Sequence, residues 1–351
     1  METKLRLAKS RDFHDKDKKD GAASDKKDAK PFERKSVRTF DRKEEKPFRK
    51  RETRVFDRPA EKMRDNRQDH FLSSVSPNMN VMIRAVQRAG RSLMRDFGEV
   101  EHLQVSRKGL ADFVSSADMN SERTLREFLK EARPRYGFLT EESGAVTGAD
   151  TSHRWVIDPL DGTTNFLHGI PFFSVSLALQ EDNEIVAGVV MNPATNELFY
   201  AEKGCGAWMM TYTGQFRLRV SSRSDLIDAV LGTAIPCPAY GNPVTFGDCL
   251  DKAMTQAAGT RCLGSTALDL AYVAAGKFDG YWVEGEKPWD VAAGLLLVKE
   301  AGGRVCTPDG DEKVKSVLES KAMMASNDAL YAKFAKMLAR KKPAAAEPEK
   351  A

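Results

Sequence analysis

The chain has 351 residues, 41% hydrophobic and 30% charged, with 55 Lys and Arg against 51 Asp and Glu for a net charge of +4. That is enough for one large domain or two ordinary ones, and no run approaches the eighteen or so apolar residues of a membrane-spanning helix. The N-terminus lacks the apolar stretch of a signal peptide, and the five cysteines (Cys205, Cys237, Cys249, Cys262 and Cys306) form no C-x-x-C pair, so a cytoplasmic protein with reduced thiols and no membrane segment is expected.

Charge is uneven along the chain. Residues 1–70 hold 24 Lys and Arg against 16 Asp and Glu, so a basic tail precedes a mildly acidic body. Residues 1–72 contain no Ile, Trp or Tyr and cannot bury enough surface to offset chain entropy, so a disordered extension is expected over 1–75. It carries a tandem repeat. KPFERKSVRTFDRKEE (30–45) is followed directly by KPFRKRETRVFDRPAE (46–61), identical at eight of sixteen positions. Basic residues around spaced phenylalanines can neutralise phosphates and stack on bases, which makes RNA a candidate partner; the interleaved acids equally suit a solvated tail.

Folded sequence begins near Ser76-Pro77. Met82, Val86, Ala89, Leu93 and Phe97 recur at helical spacing. A second helix is expected from Asp118, with Leu125, Phe128 and Leu129 inward, ending before Pro134. The chain then turns β-rich through RWVID, FSVSLALQ, EIVAGVVMN and ELFYAEKG. A helix over Ser265–Ala275, a strand DGYWV, a helix over PWDVAAGLLLVKEAGG, a short strand KAMMASN and a last helix from Asp328 complete it. Strands and helices mix throughout, so one α+β domain is expected over 76–340, followed by a second disordered tail over 341–351.

The chemistry concentrates in WVIDPLDGTTNF (155–166). The residue before a proline is pushed to extended geometry, so Asp158 is expected to end its strand at the sheet edge. Gly162 permits a tight turn, and Thr163-Thr164 can open a helix whose first N–H groups lack partners. Two carboxylates, a backbone carbonyl and helix N–H donors around one spot suit a hard cation and a phosphate, hence phosphoryl chemistry. Asp-Pro-x-Asp-Gly is also an ordinary surface turn. Further acids at element ends weigh against that reading: Glu141-Glu142 in FLTEESG, Asp290 in PWDVAAG, and Asp112 and Asp118 in DFVSSAD.

With these motifs in place, Trp155–Leu179 (WVIDPLDGTTNFLHGIPFFSVSLAL) resembles the signature of the inositol monophosphatase family, and KPWDVAAGLLLVKEAGG resembles its C-terminal signature. FLTEESG, ADFVSSADMNSE and TRCLGSTALDLAYVAAGKFDGYW fall in the matching order, and the resemblance spans roughly Pro77–Arg340 with the look of bacterial members. It implies the layered αβαβα sandwich of the inositol monophosphatase/fructose-1,6-bisphosphatase type, a homodimer, Mg²⁺ dependence and inhibition by Li⁺. Glu141, Asp158 and the Leu160 carbonyl would hold a first Mg²⁺, and Asp158, Asp161 and Asp290 a second. A third, weaker ion would sit near Glu141. Thr163, oriented by Asp118, would activate the attacking water, with Glu142 supporting the network.

For the substrate, the resemblance implies Gly162 and Thr163 on the phosphate, beside Asp161 and Asp290, and Gly264, Ser265 and Thr266 along the inositol or sugar. The family commonly has an acid seven positions before the helix aspartate, where this chain has Val283; Glu284 or Glu286 would take its place, with Glu284 the residue assigned. Lys108 resembles the lysine of the mobile metal loop and reads equally as a solvated lysine. His168 is expected to be structural, Trp289 to pack, and the cysteines to be core residues. The function implied is Mg²⁺-dependent hydrolysis of myo-inositol monophosphate by a metal-activated water. Val283 keeps open a same-fold phosphatase acting on fructose-1,6-bisphosphate, NADP or a nucleotide phosphate. The tail keeps open an RNA- or ribosome-associated protein.

Overall fold

A computed structural model of the chain describes residues 75–99, 105–109, 112–236, 242–320 and 322–339, without the side chains of 105–109 and 112–114. The expected N-terminal extension with its repeat, the C-terminal tail and Cys237 lie outside the described residues, as do the side chains of Lys108 and Asp112.

The first helix, α1 (Pro77–Phe97), starts where Ser76 accepts a hydrogen bond from the Met79 N–H and Pro77 supplies a pre-set φ. Its stripe of Met79, Met82, Ile83, Val86, Ala89 and Leu93 is buried. A hairpin, β1 (Val105–Gly109) and β2 (Asp112–Ser115), leads into α2 (Ser116–Ala132). This helix begins two residues before the expected Asp118, because Ser115 caps it and Asp118 closes a capping box.

Next come β3 (Gly137–Thr140), β4 (Gly144–Val146), β5 (His153–Asp161) and the short helix α3 (Thr163–Leu167). They are followed by β6 (Ser174–Glu181), β7 (Glu184–Asn192), β8 (Glu197–Glu202), β9 (Gly206–Thr211) and β10 (Gly214–Arg217). The remainder is β11 (Val230–Thr233), α4 (Pro243–Gln256), β12 (Gly259–Arg261), α5 (Thr266–Ala274), β13 (Gly280–Glu284), α6 (Pro288–Glu300), β14 (Gly303–Cys306), α7 (Val314–Glu319), β15 (Ala322–Asn327) and α8 (Asp328–Leu338).

The larger sheet has the order β10-β9-β8-β7-β6-β5-β3-β4 and is antiparallel except where β3 runs parallel to β5. The smaller has the order β12-β11-β13-β15-β14. Side chains alternate across each strand, and the alternation sorts the core into three clusters. Trp155 and Ile157 of β5, with Val175 and Leu177 of β6, pack with α1 and α2 on one face of the large sheet. Val156 and Ala178, on the opposite face, join α5 and α6 together with Tyr281 and Val283 of β13 and Met323 and Ala325 of β15. Trp282 and Met324, one residue along, face the far side with Cys249 of α4 and Phe334 of α8. The layers are therefore helices, sheet, helices, sheet, helices, the αβαβα order the resemblance implies. Gly294 lets α5 and α6 touch closely, since a Cβ there would lie 2.5 Å from that of Leu270.

One expectation about β5 is corrected. The strand does not end at Asp158, nor does it lie at an edge; it runs to Asp161 between β3 and β6. Asp158 faces Ser176 and Asp161 faces Ser174, so three steps on β5 oppose two on β6. Pro159, which has no N–H to give the ladder, sits in this bulge, where such a residue is tolerated.

Candidate active site

The bulge in β5 sets the site. Parallel pairing places Thr140 beside Ile157, and the Glu141 N–H donates to the Ile157 carbonyl at 3.2 Å, so the ends of β3 and β5 deliver Glu141 and Asp158 together. The bulge is held from outside by the buried Ser121 hydroxyl, which donates to the Pro159 carbonyl at 2.8 Å. Gly162 follows with φ of 93°, a left-handed value that glycine adopts without strain, and turns the chain into α3.

These elements close around a cleft of about 310 Å³ lined by Glu141, Asp158, Leu160, Asp161, Gly162, Thr163, Gly264, Thr266, Glu286 and Asp290, with Ala234, Ile235 and Cys262 at its side. No Lys, Arg or His is among them. A larger cleft, about 470 Å³ between α2 and β4, mixes Arg123, Arg126 and Lys130 with Glu122 and Glu127 and has no such one-sided chemistry; composition, not size, marks the site.

The carboxylates are engaged differently. Asp161 accepts the Ser174 hydroxyl (3.2 Å), the Ser265 hydroxyl and the N–H groups of Thr266 (3.2 Å) and Ala267 (2.8 Å), so the start of α5 is tied to β5. Asp158 is 2% exposed and accepts the Leu160 N–H at 3.0 Å. Asp290, in the first turn of α6, accepts the Lys287 N–H at 2.7 Å and has the carboxyls of Asp158 and Glu286 as neighbours. Burial, then the charges of Glu141, Asp161 and Asp290, push Asp158 well above the ordinary carboxylate range. Burial likewise raises Asp161 to about 6, opposed by its hydrogen bond from Ser265. Burial and then Glu286 raise Asp290 well above that range.

Thr163 stands at the mouth, its hydroxyl 3.1 Å from both Asp118 Oδ1 and the Leu160 carbonyl. Asp118 is buried and fixed by the Ser115 N–H at 2.9 Å, so the cap of α2 orients the threonine. Burial raises the Asp118 carboxyl, and the hydrogen bonds from Ser115 and Thr163 oppose the rise. Glu142 is not among the residues that line the cleft, and its N–H donates to Glu122 at 2.9 Å.

The assigned substrate residues divide. Gly264 and Thr266 line the cleft; Ser265 is buried behind it against Asp161. Glu284 does not line it. It lies one residue beyond Val283 on β13 and accepts the Thr245 hydroxyl from α4 at 3.1 Å, on the side of the sheet away from the cleft. Glu286 occupies the cleft instead. Val283 is 1% exposed in the inner core. His168 is exposed and bonded to the Thr164 carbonyl at 2.8 Å, and Trp289 packs against the inner core.

A carboxylate-rich lining with no cationic side chain fits hard cations such as Mg²⁺. Among the described residues no group of three or more His, Cys, Asp and Glu is spaced as a ready metal cage. The carboxyls of Asp158 and Glu286 each neighbour that of Asp290, and Asp161 accepts from its own donors.

The inositol monophosphatase family model matches residues 74–342. An inositol-1-monophosphatase of Mesorhizobium japonicum is 51% identical over 268 residues, covering 76% of this chain and 97% of that protein. The chain belongs to the inositol monophosphatase family. A Nus factor SuhB of Pasteurella multocida is 42% identical over 237 residues, covering 67% of this chain and 87% of its own length. The crystal structure of the extragenic suppressor protein suhB from Bartonella henselae superposes with a TM-score of 0.71 at 48% identity, covering 75% of this chain and 98% of that one. The family match thus coincides with the described fold, and residues 1–73 lie outside it.

Several supporting residues escaped the sequence reading. Ser121, Ser174 and Glu122 act through contacts between elements far apart in sequence, which no local pattern records. Asn165 donates to the Phe172 and Leu263 carbonyls, both at 2.7 Å, and so ties the segment before α5 to the signature.

Proposed function

We propose that this family member is a Mg²⁺-dependent phosphomonoesterase that hydrolyses myo-inositol monophosphate to inositol and phosphate by direct attack of water. The observation that supports it is the cleft of clustered carboxylates with no cationic side chain: a phosphate dianion could not enter it unless bound cations reversed its charge. Glu141, Asp158, Asp161 and Asp290, with the Leu160 carbonyl, would hold Mg²⁺. The bound cations would supply positive charge to the phosphoryl oxygens and lower the pKa of a water.

The chain's own residues do the rest. Asp118 fixes the Thr163 hydroxyl, whose oxygen is placed at the cleft to orient the attacking water. Gly162 presents backbone to the phosphate without a side chain in the way. Asp161 locks the start of α5, so that Gly264 and Thr266 hold the wall where the alcohol would lie.

The test is phosphate release from a panel containing inositol monophosphate, fructose-1,6-bisphosphate, NADP and a nucleotide monophosphate, with Mg²⁺ or a chelator. The inositol ester should be preferred and the chelator should abolish release. Release that ignores the chelator would sink the metal mechanism, and a preference for the bisphosphate would sink the inositol assignment.

A second reading concerns residues 1–73. Phe32, Phe40, Phe48 and Phe56 recur every eight residues, and residues 30–64 hold 14 basic against 7 acidic groups. Such a segment suits single-stranded RNA, with phosphate neutralisation and base stacking alternating along it. RNA binding by the full chain should exceed that of a chain starting at Phe71 and should weaken with salt. Equal, salt-insensitive binding by both would remove the tail from consideration.

A further inference from the structure

The carboxylate that distinguishes this cleft is Glu286. Alternation along β13 sends Tyr281 and Val283 into the inner core and Trp282 to the outer one. After Glu284 the chain turns at Gly285, φ of 93°, and Glu286 enters the cleft four residues before Asp290. There its carboxyl neighbours that of Asp290 and the Thr266 side chain, and Asp290 in turn neighbours Asp158. Three carboxyls thus stand in a chain across the floor.

Such a chain needs positive charge between its members once they ionise, and none comes from the cleft lining. The N–H of Lys287 donates to Asp290 at 2.7 Å. Behind the floor, Asp269 is 0% exposed with neither oxygen hydrogen-bonded, and adds to the negative field on Asp161 and Glu286. Asp161 is the member least able to give more, because four donors already occupy its two oxygens. Glu286 adds oxygens to those that Asp161 can still offer.

We propose that Glu286 is a metal-holding carboxylate, gripping one divalent cation together with Asp290 and Asp158 rather than reading the hydroxyls of the substrate. The inference rests on the metal-dependent reading above. It makes the acid opposite the helix aspartate part of the cation site, and leaves the alcohol to be recognised by the wall at Gly264 and Thr266.

The experiment is Mn²⁺ titration of the full chain by calorimetry and electron paramagnetic resonance, for the wild type, Glu286→Gln and Glu319→Gln, an exposed residue that does not line the cleft. Glu286→Gln should weaken one Mn²⁺ site by about tenfold or more, and Glu319→Gln should bind like the wild type. The ratio of KM for inositol monophosphate to KM for a simple aryl phosphate should not move. Without metal, Glu286→Gln should unfold at or above the wild-type temperature, which separates weakened binding from misfolding. Unchanged Mn²⁺ binding in Glu286→Gln overturns the inference, and a rise in KM confined to the inositol ester would assign the residue to the substrate instead. A wild type that binds no Mn²⁺ overturns the metal-dependent reading itself.

Discussion

Strand β5 has two halves that are equally buried and opposite in chemistry. Trp155 is 0% exposed and Asp158 is 2% exposed, three residues apart on one strand. The first half, Trp155–Ile157, divides its side chains between two apolar clusters and stabilises the sheet by removing apolar surface from water. The second half, Asp158–Asp161, buries carboxylates whose neighbours are further carboxylates, which costs stability until a counter-charge arrives. One strand therefore contains both a structural anchor and the carboxylates of the candidate site.

Mutation should separate the halves. The largest expected effect is in the anchor: Trp155→Ala should cost about 3–5 kcal/mol of stability, read as a lower denaturant midpoint, with activity falling only as the folded fraction falls. At the mouth of the site, Thr163→Ala should lower kcat by roughly a hundredfold while the melting temperature barely moves, and Thr163→Ser should restore most of the rate. Equal loss in the serine variant would show that the hydroxyl is not what matters.

The acidic half also predicts a pH dependence. Burial raises Asp161 to about 6 in the fold, against 3.8 for the ordinary group. The proton is then bound more tightly by the folded state, so its stabilising contribution is complete below the unfolded value and is lost as pH rises through the folded one. Metal-free protein should melt a few degrees lower near pH 7 than near pH 5, and saturating Mg²⁺ should shrink or reverse that difference. The smallest effect is expected at the joint between the halves: Ser121→Ala removes the hydrogen bond to the Pro159 carbonyl and should cost about 1 kcal/mol.

The same division governs what could be read in advance. α1, β6, β7 and α6 carry strong apolar patterns or terminal signals, and the structure reproduces them. α4 was missed because its buried side is only Phe246, Cys249 and Ala253, interrupted by Gly247. Asp158 was expected to end its strand because proline was read as a stop, whereas a bulge carries β5 past it. Glu141, Asp158, Asp161, Gly162, Thr163 and Asp290 at the cleft were legible as motifs, while Ala234 and Ile235 were not, and Ser121, Ser174 and Glu122 depend on packing between distant segments. Glu284 and Glu286 show the limit most plainly. Two residues apart, they face different surfaces, and only the pleat of β13 and the turn at Gly285 decide which enters the site.

The most direct test of the central claim is thermal unfolding of the wild type and Asp158→Asn, each with and without Mg²⁺. If the acidic half of β5 is a site awaiting cations, Asp158→Asn without metal should be at least as stable as the wild type. Mg²⁺ at a hundred times its Kd should then add about 2.7 kcal/mol to the wild type and far less to the variant. A variant that is less stable without metal, or an equal Mg²⁺ shift in both proteins, would contradict the account.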